Sequence, residues 1–407
     1  MAGVTDMKKN ITTLFIFCIL ISFNFYCAEN NREVMVVTGA QQTEVYLPLL
    51  LEKRVGILTN HTATIGERHL VDTLVSLGVN IQTIFAPEHG FRGVITAGHA
   101  VPSEVDPETG ISIVSVFGRS RYIPADSIMQ QLDIVVYDIQ DVGLRFYTYL
   151  SSMYYMMEAC ARNHVPLILL DRPNPNGHYV DGPILDVEKY RSIVGVLPIP
   201  VVHGMTLGEL AGMINGKYWL KDSLQCDVTV IKCLNYTHQT FYHLPIPPSP
   251  NLPNSRSIYL YPALCPFEGT VVNLGRGTDW PFQVYGHSEM TGYDFSFTPT
   301  TFYAEPPFAQ QVNMLCYGVD LRTEPSNEEV FKDGFTLKYV IDAYQNLNDN
   351  TQIGELFFRS FFERLVGVPY IRTMIMEGKS DSEIKACWKE EVEQFKNDRT
   401  PFLLYPL

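Results

Sequence analysis

Five short apolar runs, at residues 54–60, 79–85, 112–117, 133–138 and 166–171, alternate with stretches of helical spacing at 69–77, 127–131 and 147–163. Runs this short and this continuously apolar are buried on both faces. Their alternation with helices predicts an α/β protein whose doubly wound, mostly parallel sheet is covered on both sides. In such sheets ligands bind beyond the carboxyl ends of the strands. No Gly-x-Gly-x-x-Gly follows the first run and no Walker loop is present, so the pattern carries no nucleotide site. A Gly-x-Ser-x-Gly elbow and a His-Glu-x-x-His helix are also missing from the sequence.

The strand ends carry chemistry. They hold Asn60, then Glu88 with His89, Arg119, Asp138 with Asp141 and Arg145, and Asp171 with Arg172. Polar groups on one edge of one sheet read as an active site. The sharpest tip is residues 85–93, Phe-Ala-Pro-Glu-His-Gly-Phe-Arg-Gly. Pro87 stops the strand, and Gly90 and Gly93 let the chain turn. Glu88, His89 and Arg92 therefore sit on a rigid loop, facing either a ligand or one another as a solvated ion pair. Arg145 starts a helix, where the dipole favours anions, so it is expected to clamp a carboxylate from Asp141 or from a ligand. Gly143 permits close backbone approach, and Tyr147 and Tyr149 either pack or stack on a sugar face.

Further along, Asp171–Gly177 is a rigid turn of prolines and asparagines. His203 ends an apolar run at 198–204, as a strand tip or as a satisfied structural histidine. Thr206 and Glu209 predict a capping box for a helix over 206–214. Residues 243–256 hold five prolines and read as an extended domain boundary, with Asn251 and Asn254 able to face a cleft. Beyond it lie Glu268, the glycine-flanked Arg276, and helical spacing at 336–344, 353–365 and 381–396.

The 407 residues carry a net charge of −14, which argues against nucleic acid and against polybasic lipid attachment. Lys8 and Lys9 precede an apolar run at 11–25, too short for a comfortable membrane span, so residues 1–28 predict a secretory signal peptide. Cys27 offers a lipoprotein acceptor as the alternative, and a retained anchor is a third. The protein is expected to be secreted or periplasmic. No Cys-x-x-Cys is present, so structural zinc is not expected; Cys226 and Cys233 either pair or remain buried thiols.

Carboxylates, arginines, asparagines and aromatics at strand tips suit a carbohydrate. Glycosidic cleavage needs a proton donor to the leaving oxygen and a group that stabilises the oxocarbenium-like centre. Glu88, between apolar residues, suits the donor. Several stretches then resemble one family, the exo-β-N-acetylmuramidases, which are peptidoglycan hexosaminidases. They are Phe-Ala-Pro-Glu-His-Gly-Phe-Arg-Gly, Tyr-Asp-Ile-Gln-Asp-Val-Gly-Leu-Arg-Phe-Tyr-Thr-Tyr, Leu-Asp-Arg-Pro-Asn-Pro-Asn-Gly, His-Gly-Met-Thr-Leu-Gly-Glu-Leu, Pro-Ser-Pro-Asn and Glu-Gly-Thr…Gly-Arg-Gly-Thr. The resemblance runs from about Val55 to the C-terminus.

That resemblance implies a Rossmann-like N-terminal domain, taken here as 29–254, a smaller α+β domain at 255–407, and a cleft between them. It implies release of terminal N-acetylmuramic acid from non-reducing ends of peptidoglycan fragments, with no nucleotide and no obligatory metal. It puts the acid/base on Glu88. On this reading Asp138 or Asp141 supports the developing cation or the substrate acetamide, and Arg145 or Arg276 pairs with the lactyl carboxylate. Asn251, Asp171 and His203 bind hydroxyls, and Asn60, His89 and Arg92 complete the substrate set. Two other readings stand beside it: a non-catalytic cell-wall sugar-binding protein, and a metal-dependent hydrolase using Asp138, Asp171 and His203.

Overall fold

Strand β1 (Arg54–Thr59) is the hub of the main sheet. A small antiparallel hairpin follows, β2 (Thr64–Ile65) with β3 (Arg68–His69). The chain then lays down β4 (Asn80–Ala86), β5 (Glu104–Val105), β6 (Ser112–Ser115), β7 (Ile134–Asp138), β8 (Leu167–Leu170) and β9 (Val228–Ile231). Among the described residues the sheet order is β5-β6-β4-β1-β7-β8-β9, parallel throughout except for the antiparallel edge strand β5. Strand order reverses between β1 and β7, the switch point where Rossmann-like sheets open a crevice. The computed structural model describes residues 35–348 and 351–407, apart from 94, 96–98, 100, 119–121 and 302–309. Residues 1–28, predicted as a signal peptide and holding Cys18 and Cys27, and the strand-tip Arg119 lie outside the described residues.

The period-two alternation of side chains divides each strand between two apolar layers. Val55, Ile57, Ile84, Val136 and Ile168 face a layer with Tyr46, Leu50 and Leu74. Leu58, Phe85, Val135, Tyr137 and Leu169 face the other, packed by Leu150, Met153 and Met157 of the helix Thr148–Asn163. Every residue of β7 and β8 is buried, as a strand covered on both faces requires.

One expected tip is absent. Residues 198–204 form no strand; Val202 makes only isolated bridges to Leu144 and Asp181. Pro198 and Pro200 remove two of the amides that a central strand would need. The next parallel strand is β9 instead, a β-branched Val-Thr-Val-Ile run.

The C-terminal part is the smaller α+β portion. Strands β10 (Val284–His287), β11 (Phe295–Phe297) and β12 (Cys316–Asp320) form an antiparallel sheet in the order β10-β12-β11. The helix Ser255–Leu264 starts at the Asn254 cap, so Asn254 serves the helix rather than a cleft. The helix predicted over 353–365 breaks into Thr351–Leu356 and Phe361–Val366, because Phe358 bridges to Thr270 and Arg359 N–H bonds to Gly269 O. The stretch 381–396 likewise divides, at the buried Trp388, whose indole N–H donates to Asp181. Cys226 and Cys233 are both free and buried.

Candidate active site

The loop that follows β4 is held in an unusual shape. Gly90 and Gly93 have φ of +77° and +75°, and a Cβ at Gly93 would lie 2.2 Å from His61 Nδ1. His89 also adopts a left-handed φ of +70°, which costs a non-glycine residue roughly 1 kcal/mol or more. Two bonds fix it there. Its Nδ1 donates to Ile95 O at 2.7 Å, and its carbonyl accepts from Ile95 N–H at 3.1 Å. Burial lowers the pKa of this imidazole, against the pull of the Glu88 charge, so the neutral ring is favoured.

The strained loop delivers Glu88 to a cavity of about 510 Å³. Its Oε2 accepts a 2.6 Å hydrogen bond from Thr148 Oγ1, at the start of the helix Thr148–Asn163. Tyr147 and Asn251 line the same space from the N-terminal part. The C-terminal part adds Glu268, Arg276 and Arg359, with Tyr261 and Phe282 as aromatic walls. Arg276 Nε donates to Glu268 Oε1 at 2.9 Å, and its guanidinium lies over the Phe282 ring at 5.2 Å. A volume of this size, largely apolar with a few convergent polar groups, suits a small polar ligand.

Of the strand-tip groups expected to reach a ligand, Glu88 and His89 line this cavity, as do Asn251 and Arg276. The others are occupied elsewhere. Asp138 is buried against Arg172, with Oδ1 to Nε at 2.5 Å and Oδ2 to Nη2 at 2.9 Å. Arg145 clamps no carboxylate: its Nη1 donates to Pro183 O and Ile199 O, and its Nη2 to Leu365 O. Asp171 accepts from Thr206 Oγ1, Tyr405 OH and Gly208 N–H, so it anchors the next helix and the C-terminus. Asn60 folds back on Thr62, and Thr62 Oγ1 accepts from Gln140 N–H, which joins the tips of β1 and β7.

Arg92 pairs with Asp106 at 3.1 Å and stacks on Phe91, bracing its own loop. His203 is fully buried, and its Nδ1 accepts from Met205 N–H. Asp141 Oδ1 accepts from Gly143 N–H at 2.6 Å, and burial raises its carboxyl pKa to about 7. Gly143 does allow close approach, since a Cβ there would meet Asn174 Oδ1 at 2.0 Å. Tyr149 packs, its OH donating to Pro248 O. Glu209 completes the expected capping box with Thr206.

Asp138, Asp171 and His203 thus do not form a metal set. Asp138 faces Arg172, Asp171 faces Thr206 and Tyr405, and His203 Nδ1 faces the Met205 amide. Among the described residues no group of three or more His, Cys, Asp or Glu is placed to hold an ion.

Sequence reading alone did not single out Thr148, Glu268 or Arg359 as site residues. Thr148 offers one signal, its place in the first turn after a strand tip. Glu268, in the short 3-10 turn Cys265–Gly269, and Arg276 stand eight residues apart with no shared helix or strand whose periodicity connects them. Arg359 was hidden inside an expected helix.

The family described as Exo-beta-N-acetylmuramidase NamZ matches the chain twice, its N-terminal part over residues 55–256 and its C-terminal part over 259–405. The peptidoglycan beta-N-acetylmuramidase NamZ of Bacillus subtilis (strain 168) is 36% identical over 379 residues, covering 88% of this chain and 89% of that protein. Two crystal structures of DUF1343 family proteins from Bacteroides fragilis NCTC 9343 are similar in fold. One is 55% identical with a TM-score of 0.83, the other 25% identical with a TM-score of 0.78. Each covers 91% of this chain and 99% of its own.

Proposed function

The chain belongs to the exo-beta-N-acetylmuramidase NamZ family, and from that premise we propose that it removes terminal N-acetylmuramic acid from the non-reducing ends of peptidoglycan fragments, with Glu88 as acid and base. The observation that carries the proposal is the meeting of Glu88, fixed by Thr148, with Glu268, fixed by Arg276, on the walls of one sugar-sized cavity.

In the first half of the reaction, protonated Glu88 gives its proton to the leaving glycosidic oxygen as the bond to the anomeric carbon breaks. Water then forms the new bond to that carbon and returns a proton to Glu88. Thr148 holds one carboxyl oxygen so that the group keeps one orientation through both transfers. Positive charge develops on the sugar ring, and among the described residues the second carboxylate at the cavity is Glu268. Asp138 is unsuited to that role, because both of its oxygens are bound to Arg172. Aromatic walls at Tyr261 and Phe282 suit the apolar face of a pyranose.

The division into 29–254 and 255–407 is proposed as the working domain organisation, each part supplying one wall. Residues 1–28 are proposed to direct export, leaving a secreted or periplasmic enzyme. N-terminal sequencing of the exported chain tests this: a start near residue 29 supports it, and a lipid-modified Cys27 would make the protein an anchored lipoprotein.

The activity is tested on a defined N-acetylmuramic acid–N-acetylglucosamine disaccharide, with products and anomers resolved by NMR. Release of free N-acetylmuramic acid is expected. Binding without turnover would instead make the chain a cell-wall sugar-binding protein.

A further inference from the structure

Among the described residues, Arg276 and Arg359 line the cavity, and Arg145 reaches the carbonyl of the lining residue Leu365. Arg276 is paired with Glu268. Arg145 lies behind the wall, with its guanidinium held by three carbonyls. Arg359 differs from both. Its backbone is fixed from three sides: its N–H donates to Gly269 O at 2.8 Å, and its carbonyl accepts from Arg372 Nη2 at 2.9 Å and from Phe362 N–H at 3.0 Å. Arg359 lines the cavity, and its side chain makes no hydrogen bond or ion pair with any described residue. An arginine that lines the cavity from an anchored main chain, with its five N–H donors unengaged by any described residue, suits a planar carboxylate.

The charge pattern says what that cation is for. Among the described residues, the other groups on the wall that carry or can take charge near neutral pH are Glu88, His89, whose neutral ring is favoured, and the internally neutralised Glu268–Arg276 pair. Beside groups of that kind, Arg359 is the cation on the wall, among the described residues, that is left to meet a ligand anion. N-acetylmuramic acid differs from N-acetylglucosamine by a lactyl ether that carries a carboxylate. We propose that Arg359 binds this lactyl carboxylate and is the residue that makes the cavity select muramic acid over glucosamine. This inference rests on the muramidase reading and replaces Arg145 and Arg276 in the role expected from sequence. Ser360, next in the chain and also on the cavity wall, is placed to add a hydroxyl donor.

The test compares the native enzyme with Arg359→Ala and Arg359→Lys on three chromogenic glycosides: the N-acetylmuramide, its lactyl methyl ester and the N-acetylglucosaminide. Arg359 is exposed and its side chain unpaired among the described residues, so the variants should melt with the native chain. Arg359→Ala is expected to raise KM for the acid by about tenfold or more while kcat stays within about threefold, the size of one lost charge-assisted hydrogen-bonding pair. The ester should be a poor substrate for the native enzyme and equally poor for Arg359→Ala. Lysine should recover part of the preference, and added salt should raise the acid's KM for the native enzyme but not for Arg359→Ala. Unchanged KM for the acid in Arg359→Ala, or a native enzyme that takes ester and acid equally, would overturn the assignment of Arg359 while leaving the muramidase reading intact. No turnover of any of the three by the native enzyme would overturn both.

Discussion

Thr148 Oγ1 donates a 2.6 Å hydrogen bond to Glu88 Oε2, tying the first residue of a sixteen-residue helix to the loop after β4. The helix N-cap, Tyr147, makes no side-chain cap, and the Thr148 hydroxyl is turned to the cavity instead of to its own helix. Removing that hydroxyl while keeping the shape, in Thr148→Val, should lower kcat on a chromogenic N-acetylmuramide by about tenfold, the typical worth of a hydrogen bond to a charged group. Thr148→Ser should retain most of the rate. A steady-state assay of the three proteins decides the point.

The Asp138–Arg172 pair is a stability element. Both side chains are buried, and leaving one unpartnered typically costs about 3–5 kcal/mol. Asp138→Ala should therefore shift the urea midpoint sharply downward, while kcat per folded molecule stays within about threefold. Loss of kcat by orders of magnitude in a variant that still folds would return Asp138 to the chemistry.

Asp141 predicts a pH dependence of stability. Burial raises its folded pKa from 3.8 to about 7. Below the unfolded value both states are protonated and the contribution is intact. Between pH 3.8 and about 7 the unfolded state loses the proton first, so stability falls as pH rises through that window, in total on the order of 4 kcal/mol. Asp141→Asn has no such titration. Its stability relative to the native chain should improve steadily from pH 4 to pH 7, as read from urea unfolding at each pH.

His203 gives the opposite slope. Burial, helped by the Arg399 charge, lowers its folded pKa from 6.5 to about 3. Here the unfolded state binds the proton first, so stability present above pH 6.5 is lost as pH falls toward about 3. His203→Gln should show a shallower acid limb than the native chain in the same unfolding series.

Much of the architecture could be read from the chain because apolar runs and polar ends contrast sharply. Residues 54–60, 79–85, 133–138 and 166–171 announced β1, β4, β7 and β8 almost to the residue. Strand β9 was harder to see, since its alternating exposure breaks the fully apolar pattern of its neighbours. Partner choice was not legible. Asp138 and Asp171 stand at tips just as Glu88 does, yet whether a tip faces a cavity or a neighbour depends on residues far away in sequence, such as Arg172, Thr206 and Tyr405. The same holds for Arg145, whose three carbonyl partners lie between 38 and 220 residues along the chain. Arg359 comes to line the cavity where a tertiary bridge at Phe358 interrupts a stretch whose local pattern is helical.

The role of Glu88 as proton donor is tested most directly by varying the leaving group. Glu88→Gln should lose about a thousandfold or more in kcat on the N-acetylmuramic acid–N-acetylglucosamine disaccharide, whose leaving oxygen must be protonated. On an activated dinitrophenyl N-acetylmuramide, which departs without a proton, the loss in the glycosidic step should be far smaller. Equal losses on both substrates, or no loss on either, would contradict the assignment of Glu88 as the acid.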